Sequence, residues 1–351
     1  MKVALVASAR SWHTYRWYKS LRERCDIRVF TFNRGTDLYG DGQVVFESRL
    51  PQKLRYILGL GKIRQSVHGF KPDILHAHYA TGHGYLGYKM GLHPFVVSVW
   101  GSDIFDFPYK SSYSRNLVSK VLDKADAICA TSQRLRDGTL RLYPEFESKI
   151  NVIPFGIDMN LFRPDRSSKR NDRLIFGTAK LLREIYQIDI LMKIFDRIAE
   201  DNPNIGLKIA GDGPQEDELL KLKENLRHGN RIEFVGKIEN DRMPEFLNQL
   251  DIFVLPSKFE SFGVSALEAS ACQLPVVAFD VGGLSEILRH DVSAFLVPEG
   301  NIDKFEEAIR TLVEDEKKRF EMGLAGREVV SNKYDVEKTT EMQLNLYKSL
   351  M

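Results

Sequence analysis

The stretch Asp251-Ile-Phe-Val-Leu-Pro256, followed by Glu260-Ser-Phe-Gly263-Val-Ser-Ala-Leu-Glu268, says most about how this chain folds. The apolar run predicts a buried strand, and Val264–Cys272 predicts a helix that begins beside Gly263. The first amides of a helix are unpaired and its N-terminal end is positive, so this junction suits a diphosphate. Glu268 can accept hydrogen bonds from two ribose hydroxyls, which leaves Glu260 for a sugar beyond the phosphates. The stretch is therefore typical of a nucleotide-sugar site.

Short apolar runs alternate with helical patterns on both sides of this stretch. The alternation predicts parallel sheets with helices on both faces. We therefore expect an α/β fold with two doubly wound Rossmann-like domains facing across a cleft, and ligands beyond the carboxyl ends of the strands. The strands predicted in the first half are Lys2–Ala7, Ile27–Phe32, Ile74–Ala77, Phe95–Trp100, Ala127–Thr131 and Ile150–Ile153. Those predicted in the second half are Leu174–Gly177, Leu207–Ile209, Ile232–Phe234, Ile252–Leu255, Val276–Ala278 and Ala294–Val297.

The domain boundary is predicted in a linker that starts at Pro154 and continues into the mostly polar, charged stretch Arg166–Arg173. The length of 351 residues exceeds one typical core, which supports two domains. We expect the first domain at 1–160 and the second at 161–330. A C-terminal helix over 331–351 is expected to pack back on the first domain.

The composition indicates a soluble enzyme in a reducing compartment. Three widely spaced cysteines form no C-x-x-C pair, which argues against a disulfide framework or a zinc site. No run approaches about 18 apolar residues, and the first residues are too short a run for a signal peptide, so we expect a cytoplasmic protein. Residues 1–160 hold 23 Lys and Arg against 14 Asp and Glu, and the remainder holds 27 against 34. The basic first half predicts an anionic partner there.

An ordered set of short motifs in the second half resembles the donor domain of glycosyltransferase family 4. These are retaining, sugar-nucleotide-dependent enzymes of the GT-B fold. The resemblance covers nearly the whole chain and is strongest over about residues 200–290, where the ordered set is specific although each piece is weak. The matching motifs are Gly211-Asp-Gly-Pro214, Phe234-Val-Gly236, Pro256-Ser, Glu260-Ser-Phe-Gly263 through Glu268-Ala, Pro275-Val-Val and Val281-Gly-Gly-Leu-Ser-Glu286.

The resemblance implies roles for several residues of the second half. Glu268 would bind the ribose, Glu260 would contact the donor sugar, and Lys180 would neutralise the leaving diphosphate. The family's second basic residue, about five positions later, is Ile185 here, and Arg183 is the candidate replacement. Gly211 and Gly213 would shape the cleft or merely form a turn. The remaining donor-binding candidates, at the start of the helix, are Phe262, Gly263, Val264 and Ser265.

In the first half, Ser8–Arg16 follows the first strand and resembles a subgroup with His-Thr-x-Arg-Trp there. His13 and Arg16 are expected on the acceptor side, with helix capping and core packing as the alternative. Trp100 stands where relatives often have a histidine near the donor sugar. Asp103 is the catalytic candidate of this domain, with loop capping as the alternative. His78 is expected to line the cleft.

The residues His76-Ala-His78 and His83 invite a metal interpretation, which we reject for two reasons. We expect His76 and His78 on opposite faces of their strand, and no nearby cysteine or carboxylate completes a site. No D-x-D-like acidic site is evident either. No metal and no cofactor other than the nucleotide sugar is therefore expected.

The segment Arg49–Lys71 carries six basic residues and no acidic one, around several apolar side chains. Such a stretch can lie on an anionic membrane surface, and an ordinary solvated helix face is the alternative. With the basic first half, it favours a peripheral location at the inner membrane face. Nucleic acid is not expected as a partner, because no basic platform interleaved with aromatic residues is present.

The function expected from this resemblance is retaining transfer of a sugar from a nucleotide diphosphate to a hydroxyl, as in envelope polysaccharide or glycolipid synthesis. A sugar-nucleotide epimerase and a phosphorylase of the same fold remain alternatives. A non-catalytic nucleotide-sugar-binding protein is a third, and Ile185 and Trp100 favour it. The partners expected are the nucleotide sugar and a saccharide or lipid-linked acceptor.

Overall fold

The structure is a computed structural model that describes residues 1–47, 52–165, 167 and 173–351. The chain forms two compact units. Unit 1 comprises Met1–Gly156 together with Val336–Met351, and unit 2 comprises Ile157–Asp335. Most of the predicted boundary segment Arg166–Arg173 lies outside the described residues. The prediction of two Rossmann-like parallel-sheet domains is confirmed.

Unit 1 has seven strands within the described residues: β1 (Lys2–Val6), β2 (Asp26–Thr31), β3 (Gln43–Val45), β4 (Ile74–His78), β5 (Phe95–Val99), β6 (Ala127–Ala130) and β7 (Ile150–Val152). They form one parallel sheet of order β3-β2-β1-β4-β5-β6-β7. β4 and β5 are buried along their whole length, because helices cover both faces of a parallel sheet. The helices are α1 (Trp12–Leu21), α2 (Gln52–Leu58), α3 (Leu60–Phe70), α4 (Gly82–Met90), α5 (Ser102–Phe105), α6 (Ser112–Lys124) and α7 (Gln133–Leu142).

Unit 2 repeats the architecture with a six-stranded parallel sheet of order β10-β9-β8-β11-β12-β13, counted over the described residues. Its strands are β8 (Leu174–Ala179), β9 (Ile205–Ala210), β10 (Ile232–Gly236), β11 (Ile252–Leu255), β12 (Val276–Phe279) and β13 (Ala294–Val297). Its helices are α8 (Ile188–Asp201), α9 (Glu216–Asn225), α10 (Met243–Leu247), α11 (Val264–Ala271), α12 (Leu284–Ile287), α13 (Ile302–Glu314) and α14 (Glu316–Lys333). β8 lies between β9 and β11, so the loops after these three strands emerge side by side.

The last helix, α15 (Val336–Leu350), belongs to unit 1 although unit 2 separates it from the rest of that unit in sequence. Its Tyr347 hydroxyl lies 2.6 Å from Nδ1 of the buried His76 on β4. The Cys129 thiol donates to Oε1 of Gln343 at 3.8 Å. Buried polar groups need such partners, so α15 completes the hydrogen bonding on one face of the sheet.

Candidate functional site

Donor residues predicted from sequence and the glycine motif at Gly282 lie at the carboxyl edge of the unit 2 sheet. Lys180 follows β8, Gly211 follows β9, Glu260 follows β11 and Gly282 follows β12. Parallel strands present their carboxyl ends at one edge, where ligands of such sheets bind.

The centre of this edge is an ion pair between Lys180 and Glu260. Lys180 Nζ lies 2.6 Å from Glu260 Oε1, and the two side chains are only 13% and 8% exposed. The Ser257 hydroxyl donates to the same oxygen at 2.9 Å. The Lys180 ammonium also lies 5.1 Å from the centre of the Tyr186 ring, which attracts a cation. The structure therefore brings together two of the three candidate catalytic residues.

The Gly211-Asp-Gly213 turn wraps around the backbone that follows β8. A Cβ atom on Gly211 would lie 1.8 Å from the Lys180 carbonyl oxygen, and one on Gly213 would lie 2.5 Å from the Leu182 carbonyl oxygen. The Leu182 amide donates to the Asp212 carbonyl oxygen at 2.8 Å. These glycines allow the close approach that fixes the Lys180 loop.

The loop after β12 holds Glu260 in a similar way. Gly282 has a φ of +61°, and a Cβ atom there would lie 1.5 Å from the Glu260 carbonyl oxygen. The Gly283 amide donates to that oxygen at 3.0 Å. The glycine pair therefore positions the loop that carries Glu260.

Helix α11 begins beside the ion pair, as the sequence predicts. Gly263 precedes it with a φ of +100°, and the first turn has no acidic residue. The Ser265 hydroxyl is buried and has no hydrogen-bond partner among the described residues. Glu268 lies on the second turn and is largely buried. The Phe262 side chain packs on Tyr334 with ring centres 5.9 Å apart.

Sequence reasoning missed Ser257 and Tyr186 as partners of the ion pair. Ser257 appeared only as part of a motif, because a serine hydroxyl gives no sequence signal for the carboxylate it binds. Arg183 and Ile185 are both exposed beside this edge. The Ile185 carbonyl accepts a hydrogen bond from the Lys258 amide at 2.8 Å.

In unit 1, Asp103 is 1% exposed and its carboxylate is used by the backbone. Its oxygens accept hydrogen bonds from the amides of Ala80 at 2.9 Å and of Trp100 and Gly101 at 3.0 Å each. Burial raises the pKa of Asp103, and the backbone hydrogen bonds act in the opposite direction. The geometry favours the loop-capping alternative, because the carboxylate ties the loops after β4 and β5 together and does not face solvent.

Three of the four remaining acceptor-side candidates, His13, His78 and Trp100, belong to one aromatic cluster. The Trp100 ring centre lies 4.3 Å from that of His78 and 6.0 Å from that of His13. His13 stacks on Phe155 at 4.5 Å. Arg16 lies one turn farther along α1, with Cζ 6.0 Å from the Trp12 ring centre. His78 and Trp100 are buried whereas His13 and Arg16 are partly exposed, so the latter two are the more accessible.

The expectation that His76 and His78 point to opposite faces is wrong. Residues two apart on a strand share a face, and the two rings lie 5.0 Å apart. Both ring nitrogens of His76 are nevertheless occupied, by Tyr347 and by the Ser98 hydroxyl at 2.8 Å. Among the described residues no group of three or more His, Cys, Asp or Glu side chains could hold a metal ion.

Three histidines of unit 1, the buried His76 and His78 and the partly buried His83, should make the protein less stable in acid. Burial lowers the pKa of His76 to about 3 and of His83 to about 4, and lowers that of His78 well below its ordinary value. The unfolded chain binds a proton at each below about pH 6.5 that the folded chain does not, so their stabilisation is complete above that pH and is lost as pH falls. We expect the free energy of unfolding to drop by up to about 1.4 kcal/mol per pH unit for each histidine. Urea unfolding at about pH 7 and about pH 5 measures the drop, and equal values would contradict the expectation.

The basic segment Arg49–Lys71 includes α2 and α3, and its residues 49–51 lie outside the described residues. Leu54, Ile57 and Leu58 on α2 are exposed, Leu58 to 65%, and Arg64 on α3 is exposed. In the part of the chain that the structure describes, no helix is long and apolar enough to cross a bilayer.

Comparison with known proteins places both units among sugar-transferring proteins. The family described as "Glycosyl transferase 4-like" matches residues 2–132, and "Glycosyl transferases group 1" matches residues 160–329. The N-acetyl-alpha-D-glucosaminyl L-malate synthase of Bacillus anthracis is 28% identical over 290 residues, which cover 80% of this chain and 75% of that protein. The D-inositol 3-phosphate glycosyltransferase 1 of Catenulispora acidiphila is 28% identical over 213 residues, 56% of this chain and about half (51%) of that protein.

Solved structures show the same fold along the whole chain. Anabaena HepE in complex with UDP-glucose superimposes with a TM-score of 0.86 at 22% identity, and the alignment covers 100% of both chains. The sucrose-phosphate synthase of Thermosynechococcus elongatus superimposes with a TM-score of 0.84 at 19% identity, over 100% of this chain and 99% of that one. At these identities the likeness shows the fold alone.

Proposed function

Because the chain belongs to the family 4 glycosyltransferases of the GT-B fold and transfers a sugar from a nucleotide donor, we propose that unit 2 binds that donor and unit 1 the acceptor, with the anomeric configuration retained. The observation that supports the donor assignment most is the Lys180–Glu260 pair beside the start of α11. A cation and a helix N-terminus at one sheet edge suit a diphosphate.

In the proposed reaction the donor's bond from its anomeric carbon to phosphate breaks, and the acceptor oxygen bonds to that carbon on the same face. The departing phosphate oxygen takes the acceptor proton. Lys180 and the first amides of α11 stabilise the charge that grows on the leaving diphosphate, which is usually the largest catalytic contribution. Glu260 contacts the sugar hydroxyls and Glu268 the ribose hydroxyls, because a carboxylate accepts several hydrogen bonds.

On the acceptor side we propose that His13 and Arg16 contact the acceptor, since both are partly exposed and lie one turn apart on α1. His78 and Trp100 form the packed layer beneath them. Asp103 is a positioning residue, because it fixes the backbone of Trp100 and is itself buried.

A thermal-shift panel of UDP, GDP, ADP and TDP tests the donor site, because a ligand that binds only the folded state raises the melting temperature. We expect one nucleotide to stabilise the protein in EDTA as well as in magnesium, and to fail with Glu268→Ala. No shift with any nucleotide would refute the donor site, and a shift that requires magnesium would refute its independence of metal.

Turnover separates this function from its alternatives. Consumption of a nucleotide sugar only when an acceptor is present, with a product of unchanged anomeric configuration by NMR, is expected. An epimerase would convert the donor alone, a phosphorylase would require free phosphate, and a binding protein would hold the nucleotide without consuming the donor. Inversion at the anomeric carbon would contradict the proposed stereochemistry.

We further propose that α2 and α3 attach the protein to an anionic membrane surface, such as the inner face of a cell envelope that carries a lipid-linked acceptor. Three exposed apolar side chains on α2 adjoin exposed basic residues on α3, including Lys62 and Arg64, and this is the pattern of a helix that lies in a bilayer interface. Each basic residue near such a surface contributes about 1 kcal/mol.

Changing Ile57 and Leu58 together to serine is expected to lower binding to vesicles of phosphatidylcholine with phosphatidylglycerol at least about tenfold, because burial of apolar area drives insertion. Sedimentation of the protein with vesicles at low salt measures the partition. Leu220→Ser, at a half-exposed position on α9 of unit 2, is the matched control and should bind as the unaltered protein does. Equal binding by the double variant and the unaltered protein would contradict the membrane role of α2.

A further inference from the structure

The Lys180–Glu260 pair leaves the proposed diphosphate site short of positive charge. The ammonium lies 2.6 Å from the carboxylate, so one cation and one anion compensate each other. The start of α11 contributes only about half an elementary charge. Two ionised phosphate groups therefore need a further cation near this edge of the sheet.

The segment Ser257-Lys258 makes two separate contacts beside this pair. The Lys258 amide donates to the Ile185 carbonyl oxygen at 2.8 Å, which joins the β11–α11 loop to the loop that follows Lys180. The Ser257 hydroxyl donates to Glu260 Oε1, the oxygen that Lys180 also contacts. Lys258 is exposed, and within the described ranges its ammonium makes no ion pair.

We propose that Lys258 supplies the second positive charge of the diphosphate site, an inference that rests on the proposed function of unit 2. The ammonium stands on a flexible four-carbon chain, so it can approach a phosphate beside Lys180 from the β11 side. It thereby contributes the charge that the family pattern has at the position of Ile185.

Arg183 is the competing source of this charge. It is exposed and three residues beyond Lys180, and over the described part of the chain it too makes no ion pair. Its backbone bonds only within its own loop, to Leu181 and Tyr186. The segment of Lys258 bonds to both sides of the site, through the Lys258 amide and the Ser257 hydroxyl. The structure therefore favours Lys258 over Arg183.

Calorimetric titration with the nucleoside diphosphate that stabilises the protein most, among UDP, GDP, ADP and TDP, tests the proposal. We expect Lys258→Met to raise Kd about tenfold, because a charge-assisted contact to phosphate is lost. The difference should shrink at high salt, which screens an exposed charge. Lys258→Arg should keep most of the affinity. Lys317→Met, an exposed lysine at the start of α14, is the matched control and should leave Kd unchanged.

The other outcomes would contradict either this inference or the proposed function. If Lys258→Met binds as tightly as the unaltered protein while Lys180→Met does not, this inference fails and the donor site stands. If Arg183→Met alone raises Kd, the second charge comes from Arg183. If the unaltered protein binds none of the four nucleotides, the proposed function fails together with the inference. Melting temperatures without ligand show whether each variant is folded.

Discussion

Lys180→Met is expected to lower kcat about 10²- to 10³-fold, the usual loss when one preorganised group that stabilises developing charge is removed. The ammonium lies at the carboxyl end of β8 and is held by Glu260 and the Tyr186 ring, so the protein has already arranged it before the donor arrives. Initial rates at saturating donor and acceptor measure the effect. A kcat within a factor of about three of the unaltered enzyme would show that Lys180 does not stabilise the leaving group.

The same substitution also leaves Glu260 without its cation in a largely buried place, so stability must be measured separately. Breaking a buried ion pair from one side costs up to about 3–5 kcal/mol, and the 13% and 8% exposures allow some screening by solvent. The double variant Lys180→Met with Glu260→Gln removes both charges. We expect its loss in kcat to be smaller than the product of the single losses, because the two side chains act as a unit.

Gly282→Ala is expected to lower kcat/KM by at least about 10²-fold, because displacing a catalytic group by about an ångström has effects of that size. The added Cβ would meet the Glu260 carbonyl oxygen at 1.5 Å, and that oxygen belongs to the backbone, so the Glu260 loop must move. That movement separates Glu260 from Lys180 and from the Ser257 hydroxyl.

Gly300→Ala provides a control for backbone conformation. Gly300 has a φ of +78°, close to the +61° of Gly282, and a Cβ atom there would meet nothing within 4 Å. We expect it to cost about 1–2 kcal/mol of stability, the price of an alanine in the left-handed region, without a change in kcat/KM. If the two variants lost activity equally, backbone strain alone would explain the effect and the steric argument for Gly282 would be wrong.

The sequence was sufficient to predict most strands of the two sheets, because these strands are apolar runs between turn residues. Every predicted strand is present. β3, a strand of three residues at the edge of its sheet, was not predicted. The sequence of Leu54–Phe70 indicates a helix interrupted by Gly59 and Gly61, and the structure has two helices, α2 and α3, that meet at Gly59. A Cβ atom there would lie 2.5 Å from the Phe32 ring. This tertiary contact cannot be predicted from the local sequence.

The donor edge was predictable in its location but not in its contacts. Glycine turns and the start of α11 follow strands in sequence, so their edge of the sheet can be deduced. The pairing of Lys180 with Glu260 joins residues 80 positions apart and depends on β8 lying beside β11. For Asp103 the sequence could not distinguish two roles. A carboxylate that caps two loops and one that faces a ligand have the same sequence signature. The assignments of individual site residues stay predictions.

The return of α15 to unit 1 has a consequence for biosynthesis. The ribosome releases residues 1–156 first, and the whole of unit 2 must be made before the helix that carries Tyr347 emerges. At about 5–20 residues per second, this interval lasts roughly 10–40 s. During that time His76 and Cys129 on the nascent unit 1 sheet lack their partners on α15. Unit 1 therefore stays incompletely folded for this interval, in which chaperones and proteases can bind it.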